Sequence, residues 1–300
     1  MAFLFDIKRY SINDGPGVRI TVFFKGCSLS CRWCHNPESI SFKSEKLYNI
    51  NKCIGCGSCV IACPNNALTL TGSKGIVTDF SKCDMTGKCA EVCPSRAMEI
   101  SGKSYSEVEV MNAILRETNI MDNSGGGVTF SGGEPLMHPV ELKKLLVRCN
   151  EEGVHSAIDT AGYVKRSIVE DVIPLTNLFL YDLKMMNSDK HRYWTGADNY
   201  LILDNLRLIS ESGRTFHVRI PLIEGVNCDN ENIQKTILFL KELKNSPYAI
   251  ELLPYHNIAI KKYEKLGRLY GENDLVAPSE EKVEDIISKF KNSGFNILIN

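Results

Sequence analysis

Apolar residues recur with two different periods along the chain, and each period predicts one type of element. In Val18–Phe24 they occupy every second position, which is typical of a strand. Ser106 and Glu109 form a capping-box pattern ahead of an apolar stripe, which predicts a helix beginning near Ser106. The chain therefore combines both types of element.

Strands and helices alternate from residue 127 to residue 292. Short apolar runs predict five further strands, Gly127–Ser131, Ala157–Asp159, Leu178–Asp182, Phe216–Pro221 and Ile250–Leu253. Apolar stripes predict five helices, Pro139–Glu151, Lys165–Ile173, Leu203–Glu211, Glu231–Lys244 and Ser279–Asn292. With Val18–Phe24 this makes six βα units, which favour an α/β fold with a parallel sheet shaped as a partial (β/α)6 TIM-like barrel. A closed eight-stranded barrel needs two more units, although the tail Phe295–Ile299 can add one edge strand.

Residues 48–103 differ from the chain on either side of them. They are rich in cysteine, contain only short apolar pieces and fall into two similar halves. We therefore predict a small inserted ferredoxin-like α+β domain over residues 48–103. Residues 1–47 and 104–300 would then form the barrel.

The composition of the chain excludes several functional classes. Its 300 residues are 43% hydrophobic, which is enough for one large core and a small satellite domain. The net charge of −1 provides no basic field that would favour nucleic acid or an anionic membrane. The N-terminus does not resemble a signal peptide, and no apolar run is long enough to span a bilayer. We therefore expect a soluble cytoplasmic protein with no nucleic-acid or membrane partner.

The cysteines are the unusual feature of the composition. The chain has twelve of them, and ten lie between Cys27 and Cys93 at short spacings. Such spacings in a chain without an export signal favour metal or cluster ligation over disulfide bonds.

Cys27, Cys31 and Cys34 follow the first predicted strand in a CxxxCxxC pattern. Three thiolates can hold a cubane of four irons and leave one iron without a protein ligand. That iron can chelate the amino and carboxylate groups of S-adenosylmethionine (SAM), and an electron from the cluster then breaks a carbon–sulfur bond to give methionine and a 5′-deoxyadenosyl radical. A zinc site or three unrelated cysteines are the alternatives.

Three further segments extend this pattern into a family resemblance. They are Asp14-Gly15-Pro16-Gly17, Phe24-Lys25-Gly26-Cys27 and Trp33-Cys34-His35-Asn36-Pro37-Glu38. Together they resemble the signature of glycyl-radical-enzyme activating enzymes, a family of the radical SAM superfamily. The resemblance implies an anaerobic oxidoreductase whose deoxyadenosyl radical removes the α-hydrogen of one glycine in a partner glycyl radical enzyme. It further implies a flavodoxin or ferredoxin-type reductant and a monomeric enzyme.

Two other hypotheses remain open at this point. A radical SAM enzyme could act on a small molecule, although the Asp14–Gly17 segment and the spacing of the inserted cysteines argue against it. An electron-transfer or zinc-binding adaptor would have no catalytic activity.

The remaining motifs lie at the ends of the predicted strands, where α/β barrels place their chemistry. Gly132 and Gly133 would let the backbone approach a ligand, and the resemblance implies that Glu134 contacts the amino group of SAM. It also implies that Asp159 and Asp182 lie near the substrate glycine, with a possible monovalent cation between them.

Asp182 and Lys184 alternate with Leu183, so both can face one side of their strand, as SAM contacts or as a buried ion pair. Arg219 can neutralise the SAM carboxylate or form a structural ion pair. His256 resembles the SAM-contacting histidine of the family. Together with these physical arguments, the resemblance implies SAM contacts at Trp33, Cys34, His35, Gly132, Gly133, Glu134, Asp182, Leu183, Lys184, Arg219 and His256. Trp33 can equally be a core residue.

The inserted cysteines follow the bacterial ferredoxin pattern, in which the fourth cysteine of each run binds the other cluster. This pattern assigns Cys53, Cys56, Cys59 and Cys93 to one [4Fe–4S] cluster, and Cys63, Cys83 and Cys89 to another. Thr86 stands where a fourth cysteine is expected, so this third cluster has an unusual ligand, such as Asp84 or water, or is [3Fe–4S] or labile.

The insert resembles that of the larger activating enzymes, which serve dehydratases, lyases and decarboxylases. The two clusters would deliver electrons or dock a reductant, and a purely structural staple is the alternative.

Overall fold

The computed structural model describes residues 1–268, 270 and 275–298. In this part of the chain the strands are β1 Ala2–Ser11, β2 Arg19–Phe24, β3 Glu45–Tyr48, β4 Leu68–Thr71, β5 Gly75–Thr78, β6 Met98–Ser101, β7 Lys103–Tyr105, β8 Gly127–Gly132, β9 Ser156–Thr160, β10 Leu178–Asp182, β11 Thr215–Leu222, β12 Ala249–Pro254 and β13 Ile297–Leu298. The helices are α1 Ser58–Ile61, α2 Lys88–Glu91, α3 Glu107–Leu115, α4 Thr118–Ser124, α5 Pro139–Glu151, α6 Arg166–Val172, α7 Ser188–Thr195, α8 Tyr200–Ser212, α9 Asn230–Lys241, α10 Ile260–Lys265 and α11 Glu280–Asn292.

The main sheet has nine strands in the order β13-β12-β11-β10-β9-β8-β2-β1-β7. Strands β2 and β8 to β12 are the six predicted strands, and they run parallel in chain order. Helical connections between neighbouring strands produce this order, so the predicted α/β class with a parallel sheet is confirmed. In the described residues β13 and β7 are open edges. Ile299, at the end of the predicted tail strand, lies outside the described residues.

Strand β1 is the largest element that the sequence pattern did not predict. It pairs antiparallel with β2, with Leu4 opposite Phe24 and Lys8 opposite Thr21. Ala2 and Leu4 are buried, whereas residues 8–10 are exposed, so the strand has no continuous alternation to detect. Its pairing partner, rather than its own sequence, stabilises it.

The helices pack their apolar faces against the sheet. Helix α5 buries Leu142, Leu145, Leu146 and Cys149, and each fully buried leucine contributes about 1.5–3 kcal/mol to stability. Helix α3 begins at Ser106, whose side chain accepts from the backbone NH of Glu109 while the Glu109 carboxylate accepts from the backbone NH of Ser106, so the predicted capping box is confirmed. This packing fixes the strand ends that carry the site.

The cysteine-rich segment contains two small antiparallel sheets, β3 with β6 and β4 with β5. Helices α1 and α2 each follow a left-handed glycine, Gly57 and Gly87, at matching places in the two halves. Buried Leu68, Ile76 and Met98 pack together with the cysteines.

Candidate active site

A cavity of about 280 Å³ lies at the carboxyl ends of the six parallel strands. Each strand contributes a lining residue at or near its end: Phe23, Ser131, Asp159, Asp182, Arg219 and Leu253. Parallel strands bring their carboxyl ends to one edge of a sheet, where open α/β sheets bind ligands. Residues that are distant in sequence therefore meet in one place.

Cys27, Cys31 and Cys34 also line this cavity, on the loop that follows β2. Backbone hydrogen bonds hold the loop, from Cys27 N to Ile40 O at 3.1 Å and from Arg32 N to Trp194 O at 3.0 Å. Burial, together with neighbouring Cys31, raises the pKa of Cys34 to about 12, and burial raises the pKa of Cys27 and Cys31. The free thiols are therefore protonated at neutral pH, and a bound metal would have to displace their protons.

Asp182 and Lys184 line the cavity side by side. Lys184 Nζ lies 2.7 Å from Asp182 Oδ2, and the backbone NH of Leu183 donates to Arg219 O at 2.9 Å while its side chain packs in the core. Burial alone lowers the pKa of Lys184, but Asp182 and then Cys31 raise it above its ordinary value. Asp182 and Lys184 thus face the cavity while Leu183 faces the core, which places a fixed cation beside the cysteine loop.

Arg219 lines the cavity and forms ion pairs with two carboxylates. Its Nη1 lies 3.1 Å from Asp159 Oδ1, and its Nε lies 3.5 Å from Glu251 Oε2. His217 Nδ1 lies 2.7 Å from the other oxygen of Glu251, and Ser131 Oγ donates to Asp159 Oδ2 at 2.6 Å. Burial raises the pKa of Asp159 to about 6, against the opposing effect of Arg219. Arg219 therefore forms the structural ion pair that the sequence left open, while still facing the cavity.

Gly132 and Gly133 approach the chain's own backbone more closely than any other residue could. A Cβ on Gly133 would lie 2.2 Å from Gly26 O, and one on Gly132, whose φ is +116°, would lie 2.3 Å from Phe24 O. Both glycines line the cavity. Their role in the structure thus includes docking the end of β8 against the cysteine loop.

Glu134 is buried just outside the lining of the cavity. Its carboxylate accepts from Thr160 Oγ1 at 2.6 Å and from Ala161 N at 3.0 Å. Burial raises its pKa to about 7 in spite of these hydrogen bonds. In this structure Glu134 contacts the end of β9 directly.

The aromatic residues predicted to contact SAM lie in different environments. Trp33 is buried, lines the cavity and has its ring centroid 6.1 Å from that of Trp194. His35 lines the cavity, and its Nε2 has no hydrogen-bond partner among the described residues. His256 is exposed outside the lining and stacks on His35 with centroids 4.2 Å apart. It therefore reaches the site through His35.

The structure adds residues to which sequence reasoning gave no role. Asp14 lines the cavity and accepts from Thr21 Oγ1 at 2.6 Å, and Arg19 donates to Pro16 O and so holds the turn. Tyr255 also lines the cavity. The Asp14–Gly17 turn was recognised only as part of a motif, because a motif does not show which way its side chains point.

The inserted segment contains two further small cavities. One is lined by Cys53, Cys56, Cys59 and Cys93, and the other by Cys63, Cys83 and Cys89 together with Asp84 and Thr86. This is the same division that the ferredoxin spacing predicts. All twelve cysteines are free thiols. Across the described ranges, no three His, Cys, Asp or Glu side chains converge closely enough to hold a single metal ion.

Comparison with known proteins assigns the chain first to a class of iron–sulfur domain and then to a family of enzymes. The family described as a 4Fe-4S single cluster domain matches residues 13–203, so the chain contains this class of iron–sulfur domain. The trans-4-hydroxy-L-proline dehydratase activating enzyme of Clostridioides difficile is 45% identical over 98% of this chain and 97% of its own length. The choline trimethylamine-lyase activating enzyme of Oleidesulfovibrio alaskensis is 38% identical over 96% of each chain. The chain belongs to the family of glycyl-radical-enzyme activating enzymes.

A solved structure agrees with this assignment. A domain of the pyruvate-formate lyase-activating enzyme from Bacteroides vulgatus is 39% identical, with a TM-score of 0.51 over 59% of this chain and 99% of that one. The family resemblance and the expectation of an enzyme are thus confirmed, and the small-molecule and adaptor hypotheses gain no support. None of the helices in the described residues is both long and apolar enough to cross a bilayer.

Proposed function

We propose that this protein binds a [4Fe–4S] cluster and SAM in the cavity at the strand ends and removes the α-hydrogen of one glycine in a partner glycyl radical enzyme. One observation carries the proposal: three cysteines share a cavity with three carboxylates, a lysine and an arginine. The cysteines suit a cluster, and the charged groups suit a zwitterionic ligand beside it. When bound, the cluster and SAM supply the electron and the 5′-deoxyadenosyl radical.

Cys27, Cys31 and Cys34 would hold the cluster, because they are the cysteines that line this cavity. The Lys184 ammonium lies at its wall and would attract the carboxylate of SAM. The unpartnered Nε2 of His35 provides a polar atom for the same ligand. Trp33 would pack against it, and Gly132 and Gly133 would form the wall opposite.

Glu134 and His256 would influence the SAM site indirectly. Glu134 would act through its contact with the end of β9, and His256 through its stacking on His35. Arg219, already paired with Asp159, would hold that carboxylate in place rather than bind SAM alone. The carboxylate of Asp182 also raises the pKa of Asp159. A monovalent cation between the two would relieve this repulsion, and both would then face the incoming glycine.

The architecture that we propose for these parts is a partial (β/α)6 barrel interrupted by an inserted domain at residues 48–103. The insert would hold two further clusters, one on Cys53, Cys56, Cys59 and Cys93 and one on Cys63, Cys83 and Cys89. Asp84 and Thr86 line the second of these cavities, which supports an oxygen or water ligand as the fourth. The clusters would pass electrons toward the SAM cluster from a flavodoxin or ferredoxin-type donor.

The partner would be a glycyl radical enzyme of the dehydratase, lyase or decarboxylase type. Trans-4-hydroxy-L-proline dehydratase is the first partner to test, since its activating enzyme shares 45% identity with this chain. We also propose that the enzyme acts as a monomer. We also propose a cytoplasmic location, because the short cysteine spacings favour cluster ligation, which requires a compartment that keeps thiols reduced.

The test is anaerobic incubation of the reconstituted protein with SAM, a reductant and a candidate partner. We expect a glycyl doublet in the electron paramagnetic resonance (EPR) spectrum and one 5′-deoxyadenosine per radical. A partner variant with the radical glycine changed to alanine is the matched control and should give no doublet. Release of 5′-deoxyadenosine without a protein radical, across dehydratase, lyase and decarboxylase partners, would overturn the proposal.

A further inference from the structure

Lys46 is a buried cation outside the active-site cavity. It lies on β3 opposite Ile100 of β6, and both residues line the cavity that contains Cys63, Cys83 and Cys89. The residue is only 6% exposed. A buried lysine in a small, cysteine-rich segment needs a physical reason, because lysine is almost never fully buried unless it is paired.

The ammonium of Lys46 has no hydrogen-bond partner among the described residues. The ring of Phe80 lies over it, with Nζ 5.3 Å from the ring centroid, and covers it from one side. Two other charged residues line the same cavity: Lys88 pairs with Glu91, and Asp84 accepts from the backbone NH of Thr86. An unpaired ammonium costs several kcal/mol to bury. Asp84 is the one carboxylate in the lining, and among the described residues it makes no hydrogen bond to Lys46, so this cost is not compensated by an ion pair within hydrogen-bonding distance.

The groups whose charge acts on Lys46 are cysteines. Burial lowers its pKa, and Cys89 and Cys83, followed by Cys59 and Cys63, raise it. Three of these four are the cysteines of the same cavity. Thiolates around a cluster would provide the missing negative charge.

The other cavity of the insert makes a useful contrast. Its lining includes Cys53, Cys56, Cys59 and Cys93 but no charged side chain. The two halves of the insert are similar in sequence, yet only the cavity of Cys63, Cys83 and Cys89 has a buried lysine in its lining. A nearby cation favours the more negative, reduced state of a cluster.

We propose that Lys46 raises the reduction potential of the cluster held by Cys63, Cys83 and Cys89. Its ammonium lies against that cluster and stabilises the added negative charge. This inference rests on the proposed function, since it requires that the third cluster exists. A one-electron reduction is involved, and it adds one negative charge to the cluster, which Lys46 stabilises without gaining or losing a proton.

The test is an EPR-monitored redox titration of the fully reconstituted protein. The third cluster is identified as the signal that Cys83→Ser removes. In Lys46→Met we expect its reduction equilibrium constant to fall about tenfold, which is about 59 mV for one electron. Lys46→Arg keeps the charge and should stay close to the wild-type potential. Lys74→Met, which removes an exposed lysine of the same insert, should change nothing.

Two outcomes separate this inference from the proposed function. If the wild-type protein binds iron for only two clusters and Cys83→Ser removes no signal, the third cluster is absent and the proposed function fails at that point. If the third cluster is present and its potential is unchanged in Lys46→Met, the role of Lys46 is overturned. Lys46→Gln is measured in parallel, so that misfolding of Lys46→Met does not decide the result. A lowered potential of the third cluster in Lys46→Gln supports the inference.

Discussion

Ten of the twelve cysteines lie in two regions of this protein, and the residues around their sulfur atoms differ between the two regions. In the active-site cavity, Cys27, Cys31 and Cys34 share their space with Asp159, Asp182, Lys184 and Arg219. In the insert, the cavity of Cys53, Cys56, Cys59 and Cys93 has no charged lining at all. Three thiols beside fixed charges suit a cluster with an open iron and a polar ligand. Four thiols in apolar surroundings suit a cluster closed by protein ligands.

The comparison predicts that loss of one active-site cysteine abolishes catalysis. In Cys34→Ala we expect no 5′-deoxyadenosine and a loss of about four irons, because a cubane held by two thiolates is not retained. Iron analysis and product chromatography measure both. Cys149→Ala is the control, since Cys149 is buried on α5 and lines none of the three cavities that contain the proposed cluster cysteines. Wild-type turnover in Cys34→Ala would contradict the assignment of the site.

A smaller effect is expected from Lys184, the cation beside the cysteine loop. A hydrogen bond to a charged group contributes about 1.5–3 kcal/mol, so Lys184→Met should raise the KM for SAM about ten- to hundredfold. The iron content should stay normal, because the three cysteines remain. Lys190→Met removes an exposed lysine on α7 as the matched control. An unchanged KM for SAM would show that Lys184 serves only as the ion-pair partner of Asp182.

The six parallel strands were predictable because each carries a local signal, a short segment rich in apolar residues between helical patterns. The site at their ends followed from the same pattern, since parallel strands end at one edge. Asp182 and Lys184 needed only the two-residue period of a strand to be placed on one side.

The pairing of Arg219 was not predictable in the same way. Its partners Asp159 and Glu251 lie on β9 and β12, far away in the sequence, and only the order of the strands brings them within reach. Helix α7 was missed for a different reason, because it is short and largely polar. Its buried face carries His191, which is hydrogen-bonded to Ala197 O, and no apolar stripe marks that face. Long-range ion pairs and polar helices leave no periodic signal.

The last prediction concerns the thiols themselves and leaves catalysis aside. In protein stripped of iron, Cys56 is exposed, and hydrogen bonds from Ser58 lower its pKa, whereas burial raises the pKa of Cys34 to about 12. Iodoacetamide reacts with the thiolate, so Cys56 should be labelled well before Cys34 at pH 8. Raising the pH from 8 to 10 should accelerate labelling of Cys34 about a hundredfold, tenfold for each pH unit below its pKa.

The labelling rate of Cys56 should change far less between pH 8 and pH 10. Its pKa lies below the ordinary value for a thiol, which is about 8.5, so much of it is already thiolate at pH 8. Mass spectrometry of peptides after timed quenching measures both rates. Cys149 provides the baseline, since burial alone raises its pKa to about 12 and it lines none of the three cavities that contain the proposed cluster cysteines. If Cys34 and Cys56 react equally fast while Cys149 stays protected, the active-site loop opens without its cluster. The contrast between the two regions would then depend on the bound metal rather than on the fold.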